Sequence, residues 1–277
     1  MVRRPAKRPM SSSAAFDRNQ LRQLILTHSR EAMRDRRGMV TMLVVFGGLL
    51  IGLAVLDLLI AWNNDSQPHG TSKGSGVLAS SLPMIALIGF SSLALVNTAV
   101  PLAAYRAKNI LRHLGTTPVS RGLFIVAHVP VRIGLGLLQV ATLLILAVLF
   151  ATPTPAASLR AALLMFSAML AFLALGYLLG ALLRDPDRAL NLSFILTIVL
   201  IATSGTALPL ESLPDMAGSV LSWLPTTQFV LGLRAELLGT GTAGLPFWAI
   251  VSLLLGIAVA LLAVASRIFR WEAPSQS

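Results

Sequence analysis

The sequence contains no cysteine and few charged or aromatic residues, and each shortage removes a class of function. Without cysteine, the chain can form neither a disulfide nor a thiolate metal site. Charged residues account for 12% of its 277 residues and hydrophobic residues for 55%, which is the composition of a membrane protein. We therefore expect the chain to be divided among membrane spans rather than among soluble domains.

Sequence motifs for nucleotide or metal chemistry are also missing. No GxxxxGK[ST] phosphate-binding loop occurs, so we predict that this chain does not itself bind ATP. The HExxH motif is absent, the four histidines are scattered, and no two carboxylates lie at ligand spacing within an apolar segment. We therefore predict no catalytic residue, no bound cofactor and no metal ion, and we expect the protein not to be an enzyme.

Lysine is scarce, although the net charge is +11. A basic protein can be a nucleic-acid binder, but such proteins interleave aromatic and basic side chains on one surface. Here most cations flank apolar segments, as they do at the ends of membrane helices. We expect no nucleic-acid partner.

Six long apolar segments are the main feature that is present. A 24-residue helix covers roughly 36 Å, which is enough to cross a hydrocarbon layer of about 30 Å. The sequence therefore predicts an all-α polytopic membrane protein, with a six-span domain over 39–277. Gly176 and Gly180, four residues apart in the fourth segment, would let another helix approach closely. The predicted spans are 39–62, 77–104, 129–151, 161–183, 190–208 and 245–266.

The distribution of cations predicts the orientation of these spans. Six spans place both ends of the chain on one side, and 19 of the 22 cationic side chains then lie on that side. Because cytoplasmic segments of membrane proteins are enriched in lysine and arginine, we predict a multi-pass protein of the plasma or inner membrane with both termini cytoplasmic. The three cations on the other side are Lys73, Arg160 and Arg234.

The segment before the first span has two parts. Residues 1–15 are basic and lack periodicity, and we expect them to be disordered. Residues 16–38 begin with a capping pattern, Asp17 followed by Gln20, and continue with an apolar stripe opposite many arginines. We predict an amphipathic helix lying on membrane lipid. The alternative is a soluble helix that packs on a partner protein.

Two polar residues fall inside predicted spans, Asp57 in the first and Asn97 in the second. A carboxylate inside a span can bind a coupling ion, and an ion-coupled secondary carrier that uses Asp57 is therefore an alternative function. However, Asp57 lies only about one and a half helical turns before Trp62, where interfacial water can reach it. This position favours a structural role for Asp57.

The loop between the second and third spans carries a helical pattern of its own. Ala107, Ile110, Leu111 and Leu114 lie at positions i, i+3, i+4 and i+7, with cationic side chains around them. Gly115 then favours a helix end. A loop that only joins two spans would not need this helical pattern. The alternative is an interfacial helix held only by anionic lipid, which would show the same pattern.

The segment 209–244, after the fifth span, is neither a span nor a plain loop. Pro214 precedes a predicted helix start, residues 225–227 predict a break, and 228–238 predict a second short helix that ends at Gly239. Two apolar half-helices of this kind should dip into the outer leaflet. The alternative is an outer loop with two surface helices.

Two short runs connect this pattern to a known family. They are LRHLGTTPVS at 111–120, and SGTALPLESLP at 204–214 followed by LPTT at 224–227. Together with the in-plane helix and the six spans, they make residues 16–270 resemble the permease subunits of type-2 ABC exporters. Within these, the resemblance is to the daunorubicin-resistance-like group, whose members take part in drug resistance.

The resemblance implies an export function and a set of partners. An ATPase on a separate ABC subunit would drive the permease, which would form a dimer with a second copy or a paralogue. The few aromatic residues, 6% of the chain, favour a lipophilic drug or lipid-like substrate over a sugar polymer. The implied coupling helix that seats on the ATPase comprises Ala107, Ile110, Leu111, Leu114 and Pro118, and the implied external gate comprises Gly205, Pro209, Pro214 and Pro225.

Overall fold

The computed structural model of the protein describes residues 44, 46–56, 58–59, 76–107, 121–206, 214–239 and 244–268, with the backbone alone at 121–128 and at 215. This part of the chain is helical and contains no strand. We number its helices along the chain. They are α1 (Phe46–Leu56), α2 (Val77–Ala107), α3 (Arg121–Leu146, continued by Ala147–Ala151), α4 (Pro155–Leu182), α5 (Pro186–Thr203), α6 (Asp215–Ser222), α7 (Pro225–Leu238) and α8 (Phe247–Ile268).

Five of these helices are long and apolar enough to cross a membrane: α2, α4, α5, α8 and the Val129–Ala151 part of α3. The predicted all-α polytopic class is therefore confirmed. α1 is a shorter apolar helix inside the first predicted span, 39–62. Because much of that span lies outside the described residues, the count of six remains a prediction. The predicted tail, 1–15, and in-plane helix, 16–38, also lie outside them.

Proline at the first helical position sets two boundaries that the sequence patterns misplaced. α4 begins at Pro155 rather than at residue 161, and the Thr154 hydroxyl caps it by accepting a hydrogen bond from the Ala157 amide at 3.3 Å. α5 begins at Pro186 rather than at residue 190, and its cap is Asp185. Proline suits this position because it has no amide hydrogen to leave unpaired and its φ is already helical.

α2 and α4 form the centre of the bundle. Phe90 and Leu93 of α2 and Met165 and Met169 of α4 are fully buried. The helices around them leave large apolar side chains exposed, among them Leu138 and Ile145 of α3, Ile198 of α5 and Val259 of α8. A bundle that is apolar inside and outside fits a hydrocarbon solvent, in which exposed apolar side chains carry no penalty.

The two glycines of α4 lie where α2 approaches most closely. A Cβ atom added at Gly176 would overlap the carbonyl oxygen of Ala94 and lie 2.7 Å from its carbonyl carbon. A Cβ atom at Gly180 would lie 2.7 Å from Cδ2 of Leu102. The close approach predicted from the spacing of these glycines is therefore confirmed, and its partner is α2.

The middle of α2, Ser92–Ala99, is a π-helix. Its wider turn comes just before Pro101, which has no amide hydrogen to donate to the helix. Side chains donate to carbonyls in this segment: Asn97 Nδ2 to Ser92 O at 3.3 Å and Thr98 Oγ1 to Leu93 O at 2.9 Å. From α5, the Ser193 hydroxyl donates to Leu95 O at 3.0 Å. These side chains add hydrogen bonds to backbone carbonyls inside an apolar span, where water is not available to supply them.

Candidate functional site

The residues expected to form a coupling helix follow the end of α2. Ala107 is the last residue of α2 and is exposed. The other four members, Ile110, Leu111, Leu114 and Pro118, lie outside the described residues. The coupling helix therefore stays a prediction. Of its expected residues, the structure describes only Ala107, at the end of α2.

Arg106 joins that end of α2 to the end of α4. Its Nη1 donates to the carbonyl oxygen of Gly180 at 3.4 Å and to that of Ala181. The last carbonyls of a helix have no partner within the helix and carry partial negative charge, so a cation there is favourable. From the sequence, Arg106 is one of the cationic side chains around the apolar positions of the predicted loop helix. The sequence patterns missed this contact because its acceptors are backbone atoms, which leave no side-chain signal.

The four residues expected to form an external gate lie around α5, α6 and α7. Gly205 has the left-handed φ of 71° just after α5, and Pro214 is the exposed residue before α6. Pro225 is the first residue of α7, so the predicted break at 225–227 is wrong. The break falls at 223–224, because a proline that ends one helix can also begin the next. Pro209 lies outside the described residues.

α7 is packed into the bundle rather than lying on its surface. Phe229, Val230 and Leu233 are completely buried, and the Phe229 ring lies 6.3 Å from the Phe90 ring of α2. α7 contacts α2, α4, α5, α8 and the π-helical end of α3. α7 therefore packs among five helices in the half of the bundle where α4 and α8 begin and α3 and α5 finish, and it reaches Phe90 near the middle of α2.

Two buried polar side chains fix the beginning of α7. The Thr227 hydroxyl donates to the carbonyl oxygen of Thr203, at the end of α5, at 2.8 Å. Gln228 donates through Nε2 to Ser222 O at 2.6 Å and accepts from the Leu245 amide at 3.1 Å. Gln228 thereby ties α7 to the end of α6 and to the residues before α8. Buried polar groups that are fully bonded hold a single arrangement in place.

The last turn of α7 is held by an ion pair. Arg160 Nε of α4 lies 2.8 Å from Glu236 Oε2, with Glu236 mostly buried and Arg160 half exposed. α7 is thus attached at both ends, whereas α6 is largely free of the bundle. Met216 and Val220 of α6, and Trp223 just after it, are 67–83% exposed.

Asp57 and Asn97 are the two polar residues predicted to lie inside spans, and the structure describes only Asn97. Asp57 lies outside the described residues. Asn97 is 6% exposed, and its amide donates to Ser92 O within the π-helical segment. Through this bond, the Asn97 side chain stabilises the backbone of α2.

Comparison with known proteins agrees with this architecture. A family model described as ABC-2 family transporter protein matches residues 39–267, which is most of the chain. The chain therefore belongs to this family, and it is a multi-pass membrane permease of an ABC transporter.

A curated relative supports the same class over a shorter stretch. The chain is 33% identical over 101 residues to the "Putative transport permease YvfS" of Bacillus subtilis (strain 168). The match covers 36% of this chain and 39% of the relative, so the chain spans about two fifths of that protein's length.

Proposed function

We propose that this permease forms the translocation path of an ATP-driven exporter for a lipophilic drug or lipid-like substrate. A separate ABC ATPase subunit hydrolyses the ATP, and the permease pairs with a second copy or a paralogue. One observation carries the proposal: α2 contacts α7 through Phe90, near its middle, and Phe229, and α2 ends at the predicted coupling segment. A single buried helix thereby links the expected ATPase contact to the expected gate.

The energy source follows from what the chain lacks. The sequence has no phosphate-binding loop, so the free energy for export comes from a partner. A partner can move the spans only through a rigid element that is attached to them. The bond from Arg106 to the end of α4 supports this role, because it makes α2 and α4 respond together at the end next to the coupling segment.

The gate is the α6–α7 segment at the opposite end of the bundle. α7 packs among five helices in that half of the bundle, which supports a cap over the path between them. Gly205, Pro214 and Pro225 mark a turn and two helix starts at which this segment changes direction. Pro209 is the fourth residue that we assign to the gate. Substrate release then requires α7 to shift relative to α2 and α4.

We propose that the permease lies in the plasma or inner membrane with the α7 end of the bundle outside and both termini in the cytoplasm. The excess of cations on the termini side supports it. We propose that residues 16–38 lie on cytoplasmic-leaflet lipid as an amphipathic helix preceded by a disordered tail, 1–15.

The test of the proposed function is ATPase retention by a Leu111→Asp variant. A carboxylate in an apolar contact has no partner, and burying it there weakens docking by at least a few kcal/mol. We expect Leu111→Asp to insert normally but to lose the ATPase during purification.

A matched variant separates protein docking from lipid binding. Lys108→Gln combined with Arg112→Gln removes two charges from the same segment, while Arg106 stays because it binds α4. Attachment by anionic lipid alone predicts that the charge variant loses more function than Leu111→Asp. If Leu111→Asp keeps its ATPase and full transport, the coupling assignment is wrong.

A further inference from the structure

Gln228 holds the end of α6 next to the start of α8. Its side-chain amide donates to Ser222 O at 2.6 Å and accepts from the Leu245 amide at 3.1 Å, two residues before α8 begins. Because one carboxamide group bonds both backbone atoms, the two segments are neighbours. The level of α8 in the membrane therefore also gives the level at which α6 ends.

The length of α8 gives that level. α8 has 22 residues, which cover roughly 33 Å, and a hydrocarbon layer is about 30 Å thick, so little of the helix can extend beyond the layer. Arg267, in the last turn, fits one boundary, where a cation reaches the head groups. Trp248, in the first turn, is 70% exposed and fits the other boundary, because indole rings favour the interface between lipid and water.

The end of α6 is apolar on its exposed side as well as on its half-buried side. Leu221 and Leu224 are half-buried, whereas Val220 and Trp223 are more than 60% exposed. Asp215, the only charged residue of α6, lies at its first position. A helix that faces water normally carries charged and polar side chains on its exposed face. The exposed face of α6 suits an apolar solvent better than water.

The two serines of α6 bond their hydroxyl groups within the helix. Ser219 Oγ donates to Met216 O at 3.0 Å, and Ser222 Oγ donates to Ser219 O at 2.6 Å. Polar groups in lipid need such internal partners, because no water is available to bond them. These bonds allow both serines to lie within an apolar surface.

We propose that the end of α6 inserts into membrane lipid, with Val220 and Trp223 among the acyl chains next to the head groups. The charge of Asp215 keeps the start of α6, with Met216, in contact with water. By the orientation proposed above, the lipid belongs to the outer leaflet. Because Gln228 joins α6 to α7, this contact attaches α7 to the membrane. That α7 is a gate rests on the proposed function, whereas the lipid contact does not.

Tryptophan fluorescence measures this contact, because bromine atoms on lipid chains quench an indole ring that they touch. The chain has four tryptophans. A variant with Trp62→Phe, Trp248→Phe and Trp271→Phe keeps only Trp223. A matched variant with Trp62→Phe, Trp223→Phe and Trp271→Phe keeps only Trp248, the reference on a span. Each full-length protein is reconstituted in vesicles of phosphatidylcholine that is brominated either near the head groups or near the chain ends.

We expect lipid brominated near the head groups to quench Trp223 about as strongly as Trp248, and lipid brominated near the chain ends to quench both less. Iodide dissolved in the water should quench Trp223 less than it quenches N-acetyltryptophanamide in the same suspension. Quenching of Trp223 by iodide but not by brominated lipid means that α6 lies in water. Protection from both quenchers means that protein, such as a second copy of the chain, covers it. Either result overturns the proposal.

Folding is controlled separately. If the variant that keeps only Trp223 is not recovered as a monodisperse protein, the natural chain is compared with Trp223→Phe, and the difference between their emission spectra gives the share of Trp223. That share should fall in brominated lipid, and a share that does not change contradicts the proposal. Because the measurement needs no ATPase, its failure leaves the Leu111→Asp test of coupling unaffected. Equally, a failed coupling test leaves the lipid contact unaffected.

Discussion

Arg160 in the second turn of α4 and Glu236 in the last turn of α7 form an ion pair with Nε and Oε2 2.8 Å apart. They are 76 residues apart in sequence, so the pair fastens α7 to a helix that reaches the opposite end of the bundle. Together with the bonds of Thr227 and Gln228, it restrains α7 at both ends. Because Arg160 is half exposed, breaking this ion pair should disturb the bundle less than removing the buried bonds of Thr227 or Gln228.

The first prediction concerns the strength of this pair. Because Arg160 is half exposed, we expect a coupling free energy of about 0.5–1 kcal/mol between Arg160→Gln and Glu236→Gln in a double-mutant cycle of unfolding, falling with added salt. Arg188→Gln, from a more exposed pair with Asp185 at 3.4 Å, should have almost no effect. A coupling energy of zero, or one that salt does not change, would show that the pair does not hold α7.

The second prediction concerns the approach of α4 to α2. Gly176→Ala places a methyl group against the backbone of Ala94, which cannot move aside as a side chain can. We expect a loss of about 1–3 kcal/mol in the free energy of unfolding, measured with denaturant in detergent micelles. Gly134→Ala is the matched control, because nothing lies within 4 Å of its added Cβ. Equal stability of the two variants would argue against this packing.

These glycines show how far the sequence predicted the fold. Their spacing predicted a close approach, since small residues permit one, but no local pattern could identify α2 as the partner. The spans were predictable because apolar length is a property of each segment alone. Helix starts were not, since proline at 155, 186 and 225 both ends and begins helices.

Contacts that hold the candidate site together were the least predictable. Arg106 and Gln228 bind backbone carbonyls, and any residue supplies such an acceptor. The π-helical segment was also missed, because its apolar pattern resembles that of an α-helix. Its polar residues, Asn97 and Thr98, could have indicated carbonyls in need of donors.

The third prediction concerns the π-helix in α2. Thr98→Val keeps the shape of the side chain but removes the donor to Leu93 O, so we expect a loss of about 0.5–1.5 kcal/mol in unfolding free energy. Thr142→Val removes a bond of the same length, to Leu138 O, in a partly exposed and regular part of α3. That control should change stability by less than about 0.5 kcal/mol. Equal effects of the two changes would mean that the buried bond to Leu93 has no special role.

The fourth prediction concerns sidedness. The natural chain has no cysteine, so single cysteines can be labelled without background. In intact cells, an impermeant maleimide should label His69→Cys and should not label His113→Cys. Permeabilised cells provide the control, in which both should react. Labelling of position 113 from outside would reverse the orientation.

The fifth and central prediction is that the nucleotide state of a partner ATPase moves α7. Val230 is fully buried on α7, so the labelling rate of Val230→Cys reports its position without any knowledge of the substrate. Met216→Cys, on the exposed face of α6, is the control and should react in every state.

The most direct measurement compares Val230→Cys labelling in proteoliposomes that contain the permease and its ATPase, without nucleotide and with ADP and vanadate trapped after ATP hydrolysis. We expect the rate to differ between these states, to ignore an imposed proton or sodium gradient, and to behave the same way in an Asp57→Asn background. A rate that follows the ion gradient, disregards nucleotide and loses its response with Asp57→Asn would contradict an ATP-driven permease and identify an ion-coupled carrier.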